Sequence, residues 1–211
     1  MKSTEQEISY PITNSYSTLN SRTATTKTVW FVCHGMGYLS RYFLKYFKGL
    51  PAAENFIIAP QAHSKYYITQ EFKHVGASWL TKENTAAEMD NVMTYFDAIF
   101  EREQISNAQN LIVLGYSQGV SVAMRYLASR KIKCSQLIMH SGSIPKELKK
   151  EDFEFFNGKA KVIYGTTDEY LNDDRMNLEL LKAEHLFGDR LEIIPFDGVH
   201  EVNVKLINSI V

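Results

Sequence analysis

Two hydrophobic rhythms alternate along the chain. Short, largely apolar runs occupy 27–33, 55–60, 111–115, 136–140, 161–165 and 191–196. Between several of them apolar residues recur every three or four positions, as in Met89, Val92, Phe96 and Ile99, and helical stretches are expected at 118–129 and 173–187. The runs suit strands covered on both faces of a parallel sheet, and the intervening stretches suit amphipathic helices. Strands alternating with helices predict an α/β fold: a mostly parallel central sheet with helices on both faces. No repeat, low-complexity tract or linker interrupts 1–211, so one domain without a large cap is expected.

Local signals refine this frame. Residues 7–13 alternate apolar and polar, and Asn14 and Ser15 can turn them into a second polar strand near 16–20. Pro11 assigns that run to a sheet edge. Residues 41–47 predict a short aromatic helix, and 143–157 a charged, partly helical crossover. Thr85 and Glu88 have the spacing of a capping box ahead of a helix running to about 101. Gly188 suits a helix C-terminus, and a short final helix follows residue 200. Residues 61–80 read as an irregular link, and a loop of that length in a compact domain is more often functional than idle.

Composition narrows the class without selecting a function. Of 211 residues, 45% are hydrophobic and 22% charged, as in an ordinary globular protein. The 23 basic and 24 acidic residues leave a formal charge of −1, so no nucleic-acid footprint is visible. The first residues lack the apolar core of a signal peptide, and no apolar run approaches the length of a membrane span. Cys33 and Cys134 read as reduced, buried thiols. A cytoplasmic protein acting on a small molecule fits best. No metal-ligand spacing is present among the histidines and cysteines, and no cofactor is expected.

Chemistry enters at Gly115-Tyr116-Ser117-Gln118-Gly119, which sits between an apolar run and a helical stretch. Strand, sharp turn and helix would raise the Ser117 hydroxyl above the sheet edge, with Gly115 and Gly119 supplying room. A serine needs a base, and the base needs an acid to hold its tautomer. Asp168 follows the run ending at Gly165, and His200 follows the last run, behind Gly198. The chain order Ser117, Asp168, His200 gives nucleophile, orienting acid and general base. Asp173 and Asp174 are rivals that sit where a helix N-terminus favours acids. His140 precedes Asp168 and reads as a packed histidine behind the site. His34-Gly35-Met36-Gly37 ends an earlier run, so the backbone N–H groups of Met36 and Gln118 are the candidate oxyanion hole.

These motifs together resemble the phospholipase/carboxylesterase family of α/β-hydrolases, which includes the acyl-protein thioesterases. Gln118 after the serine, Ala59-Pro60-Gln61-Ala62 and Ser78-Trp79 are similar to family features, and the resemblance runs from residue 28 nearly to the end. It implies hydrolysis of carboxylic esters or thioesters through an acyl-serine, with Gly35 and Trp79 near the substrate. Tyr66, Tyr67, Phe72 and Trp79 could line an acyl pocket, cover the site or simply pack, and His63 and His74 are further lining candidates. Tyr38 stands where the family has an acid, and Leu80 and Thr81 follow Trp79, which leaves the acyl group open. An acyltransferase or peptidase on the same scaffold, or a hydrolase-like binding module, are the alternatives.

Overall fold

The computed structural model describes residues 3–210. Its strands are β1 (Tyr16–Leu19), β2 (Thr28–Cys33), β3 (Asn55–Pro60), β4 (Ser64–Tyr67), β5 (Val75–Ser78), β6 (Leu111–Tyr116), β7 (Gln136–His140), β8 (Lys159–Gly165) and β9 (Leu191–Phe196). Seven of them form one sheet in the order β1-β3-β2-β6-β7-β8-β9. All neighbours pair in parallel except β1, which runs antiparallel to β3 at the edge. The helices are α1 (Ser40–Phe43), α2 (Thr85–Arg102), α3 (Gln118–Arg130), α4 (Asp173–Phe187) and α5 (Val204–Ser209).

Every residue of β2, β3 and β6 is buried, as a parallel sheet with two covered faces requires. On one face Phe31 and Val113 meet Phe96 of α2, Tyr126 of α3 and Leu186 of α4. On the other, Trp30 and Ile57 meet Phe43, Phe47 and Ile207 from α1, the 3₁₀ turn after it and α5. The Trp30 indole N–H, buried within this second layer, donates to Asn55 Oδ1 at 3.0 Å. Burying an aliphatic or aromatic side chain of this size is worth about 1.5–3 kcal/mol, so the two layers hold the strand ends, and the loops they carry, in fixed relation. Among the described residues no helix is long and apolar enough to cross a membrane.

The structure corrects several expectations. Residues 7–13 form no strand: Ile8, Tyr10 and Ile12 are 87%, 71% and 69% exposed, so no core rewards their alternation, and Pro11 has no N–H to give a ladder. Only Tyr16–Leu19 joins the sheet. The link at 61–80 is an antiparallel hairpin, β4 against β5, outside the main sheet. Its strands are too short, and β4 too exposed, to show a core-facing rhythm. Thr85 does not cap α2: Asn84, in the left-handed region at φ 47°, precedes the helix, and the Thr85 hydroxyl donates to the Thr81 carbonyl at 2.8 Å. The helix expected at 41–47 divides into α1 and a 3₁₀ turn, Leu44–Phe47. Residues 143–157 contain only the 3₁₀ turn Lys150–Phe153.

Candidate active site

Five strands end on the same side of the sheet, and the candidate residues occupy the loops that leave them. β2 leads into His34–Gly37, β6 into Ser117, β7 into Ser141, β8 into Asp168 and β9 into His200. Open α/β sheets gather ligands at this edge.

Ser117 adopts φ 52°, ψ −120°, a backbone region that L-residues rarely enter. The turn is held by packing with no room to spare. A Cβ on Gly119 would lie 2.1 Å from the Cys33 carbonyl oxygen, and one on Gly115 would lie 2.4 Å from Val120 Cα. The Ser117 N–H donates to the His140 carbonyl at 2.9 Å, which locks the strained residue to the neighbouring strand.

The structure brings Ser117, His200 and Asp168 together in one chain of hydrogen bonds. Asp168 Oδ2 lies 2.7 Å from His200 Nδ1, and His200 Nε2 lies 3.0 Å from Ser117 Oγ. A carboxylate accepts only, so Nδ1 carries the proton and Nε2 presents its lone pair to the serine hydroxyl. Asp168 Oδ1 accepts the Tyr170 and Leu171 N–H groups at 2.8 and 3.0 Å, and the residue is 4% exposed. Its orientation is therefore set from both oxygens. Asp173 and Asp174 sit in the first turn of α4, away from this chain of contacts. The His200 ring lies between Tyr116 and Tyr170, with centroids 5.4 and 4.8 Å away.

Behind the site two histidines are held neutral. His140 is fully buried, and burial pushes its pKa down to about 3, helped by neighbouring His200 and opposed by Asp168. Its Nε2 accepts the Asn203 N–H at 3.0 Å, while Nδ1 lies 3.1 Å from Ser141 Oγ. Burial likewise pushes His34 down to about 4, against the opposing pull of its contact with the Gly35 carbonyl. His34 Nε2 accepts the Ala62 N–H at 3.2 Å.

The loop 34–37 and the N-terminus of α3 are braced by β5 and the residues after it. The Gly37 N–H donates to the Ala77 carbonyl at 2.9 Å. The Trp79 indole donates to the His34 carbonyl at 2.8 Å. Gln118 uses its side chain in the same brace: Oε1 accepts the Trp79 N–H at 2.8 Å, and Nε2 donates to the Leu80 carbonyl at 2.7 Å. Among the described residues, the Met36 N–H has no backbone acceptor. The Gln118 N–H opens a helix and has no acceptor within it. Both can point at developing negative charge.

A cleft of about 440 Å³ opens over Ser117 and His200. Trp79, expected at the substrate, does not reach it: the residue is fully buried beneath the loop, against His34 and Phe96. Gly35 is also buried, where a Cβ would come within 3.1 Å of Ser117 Cβ, so it makes room for the serine and is no part of the cleft wall. Tyr66, Tyr67, Phe72 and His74 belong to the hairpin region and do not line the cleft, and His63 packs on Tyr95. The sequence reading passed over Ser121, Ser143, Tyr170 and Arg175, which do line it. Ser121 carried a signal, since a residue four places after Ser117 on a helix shares its face. Arg175 carried none, because the turn at 168–172 decides where it falls.

Comparison with known proteins agrees with the fold. No curated protein matches the sequence. Solved structures with the same fold include acyl-protein thioesterase 2 of Zea mays, with a TM-score of 0.68 and 14% identity over 94% of this chain and 96% of that one. A phospholipase/carboxylesterase of Dyadobacter fermentans has a TM-score of 0.69 and 16% identity over 95% and 97%. The carboxylesterase of Bacillus cereus has a TM-score of 0.66 and 12% identity over 93% and 91%. The model of the phospholipase/carboxylesterase family matches residues 14–201, and the chain belongs to that family of ester-cleaving α/β-hydrolases.

Proposed function

We propose that the protein hydrolyses carboxylic esters or thioesters through an acyl-Ser117 intermediate, with His200 as the base and Asp168 as its orienting acid. The observation that carries this reading is the His200 ring bridging Asp168 at 2.7 Å and Ser117 at 3.0 Å. Both contacts lie within the range a proton transfer needs.

Ser117 Oγ attacks the carbonyl carbon while His200 Nε2 takes its proton. The carbonyl oxygen becomes an oxyanion facing the N–H groups of Met36 and Gln118. The tetrahedral carbon then expels the alcohol or thiol, which takes the proton from His200, leaving the acyl group on Ser117. Water attacks the acyl carbon, giving its proton to His200. The second tetrahedral intermediate collapses, Ser117 Oγ recovers the proton, and the carboxylic acid leaves. Throughout, Asp168 stabilises the imidazolium and stays ionised.

A cytoplasmic location belongs to the same reading, supported by Cys33 and Cys134, which are buried as free thiols.

The test is hydrolysis of 4-nitrophenyl esters of increasing chain length by the native protein and by Ser117→Ala, with labelling by a fluorophosphonate probe. Turnover and labelling that vanish together in the variant are expected. Turnover that survives in Ser117→Ala, or no turnover and no labelling in the native protein, would overturn the mechanism.

A further inference from the structure

The cleft presents mostly apolar surface, with a few polar groups set into it. Ser121, Ser141, Ser143 and Tyr170 line it in addition to Ser117. Met36, Leu171 and the ring of Tyr170 contribute large apolar surface, with Met36 and Tyr170 each 60% exposed. Small-molecule sites are usually dominated by hydrophobic and aromatic walls, with a few polar groups fixing orientation. The cleft follows that proportion, and the Ser121 and Ser141 hydroxyls are already engaged by Arg125 and His140, so a charged group on a substrate must find its partner elsewhere on the wall.

One lining residue carries a fixed charge. Arg175 reaches the cleft from the first turn of α4, just beyond the loop that carries Asp168. Its Nη1 donates to the carbonyl of Tyr170, a neighbour in the lining, at 2.5 Å. No carboxylate among the described residues lies within 4.0 Å of its nitrogens, although Asp173 and Asp174 precede it on the same helix. The nearby Arg125 is different: it contacts Ser121 from behind and is paired with Glu147 at 2.6 Å. Glu169 turns the other way, its carboxylate 3.4 Å from the His200 N–H. No carboxylate lines the cleft among the described residues. A guanidinium has five N–H donors, and the others here remain for a ligand.

We propose that Arg175 is the specificity-determining residue of this site and that the favoured ester carries a carboxylate held by its guanidinium. The proposal rests on the hydrolase reading above. A planar carboxylate matches a single guanidinium fork, whereas a phosphate dianion would call for further cations that the cleft does not supply. The carboxylate could belong to the acyl group or to the alcohol, and two substrate pairs separate these cases.

For the acyl side, 4-nitrophenyl hydrogen adipate is compared with its neutral methyl ester. For the alcohol side, 3-acetoxybenzoate is compared with 3-acetoxybenzamide. Rates are corrected with Ser117→Ala as the blank. In at least one pair, kcat/KM should favour the anion by about five- to tenfold, the range for a charged contact that solvent still partly screens. Arg175→Gln should bring that ratio to about one, Arg175→Lys should restore part of it, and rising salt should erode it. Using ratios removes any general effect of loosening Tyr170. Equal ratios in the native protein and Arg175→Gln, in both pairs, would overturn the proposal.

Binding supplies an arm independent of turnover. Monomethyl adipate titrated into Ser117→Ala, which cannot form the acyl-serine, should produce saturable amide shifts at Gly142 and Leu171, lost when Arg175→Gln is combined with it. Without such shifts Arg175 holds no carboxylate. If they appear while no ester is cleaved by the native protein, the hydrolase reading fails and the carboxylate site stands.

Discussion

The backbone N–H of Asn203 donates to Nε2 of buried His140 at 3.0 Å, tying the segment that carries His200 to the end of β7. That bond needs a neutral imidazole, because protonation would put a second donor opposite the Asn203 N–H. The His200 carbonyl is held as well, by the Tyr116 hydroxyl at 3.1 Å. The position of the ring opposite Ser117 therefore depends on groups buried behind it.

A pH dependence of stability follows. The unfolded chain takes a proton on His140 and His34 below the ordinary value of 6.5, but burial makes the folded protein refuse it until about pH 3 and about pH 4. Proton uptake by the unfolded state alone favours unfolding, so stability is complete above 6.5 and falls as pH drops toward those values. Each histidine removes at most about 1.4 kcal/mol per pH unit across its window. Urea unfolding between pH 7 and 4.5 should show the decline, and His140→Gln should make it shallower by about 1 kcal/mol per pH unit. An unchanged slope in that variant would mean that His140 is not held neutral by the fold.

Asp168→Asn isolates the role of the carboxylate. An amide oxygen at Oδ1 can still accept the Tyr170 and Leu171 N–H groups, so the loop should keep its shape. The amide nitrogen at the other position would face His200 Nδ1 and favour the tautomer that puts the proton toward Ser117. Turnover should drop by about 10⁴-fold with little change in melting temperature. A loss below about tenfold would remove Asp168 from the proposed mechanism.

In the proposed mechanism the Gln118 N–H faces the oxyanion, while its side chain is bonded to Trp79 and Leu80. Gln118→Ala keeps the first and removes the second. The Trp79 N–H then loses its partner, while the Leu80 carbonyl keeps only the Ser78 hydroxyl at 3.1 Å, a cost of about 1–3 kcal/mol in urea unfolding. Turnover should fall through kcat more than KM, because the brace positions donors for the transition state. A variant as stable as the native protein would show that water replaces the side chain.

Much of the frame was legible because burial on both faces leaves an unmistakable apolar run, as in Val29–Val32 within β2. Asp168 and His200 could be read from chain order, since each follows a strand whose end the sequence marks. The hairpin β4–β5 was hidden because β4 is exposed throughout and is fixed by pairing with β5, which is itself bonded to the 34–37 loop. The same contacts explain why Trp79 was misplaced: its segment was visible, but burial against His34 and Phe96 is a tertiary fact. Arg175 was invisible for a related reason. A charge in the first turn of a helix reads as solvated surface until the fold brings it to the same cleft as Ser117 and Ser143.

Ser117 itself offers the last test, because its backbone and its hydroxyl make separate demands. At φ 52°, ψ −120° a residue with a Cβ is strained, at a cost of about 1–3 kcal/mol. Ser117→Ala removes the hydroxyl and keeps the strain. Ser117→Gly removes both, and the extra freedom of glycine in the unfolded chain offsets about 0.5–1 kcal/mol of the gain. Both variants should lose turnover, yet Ser117→Gly should be the more stable of the two by about 1 kcal/mol in urea unfolding. The glycine variant proving less stable would mean that the turn relaxes around an L-residue. The expected order would mean that the fold maintains a strained serine at the end of β6, where its hydroxyl meets His200 at 3.0 Å.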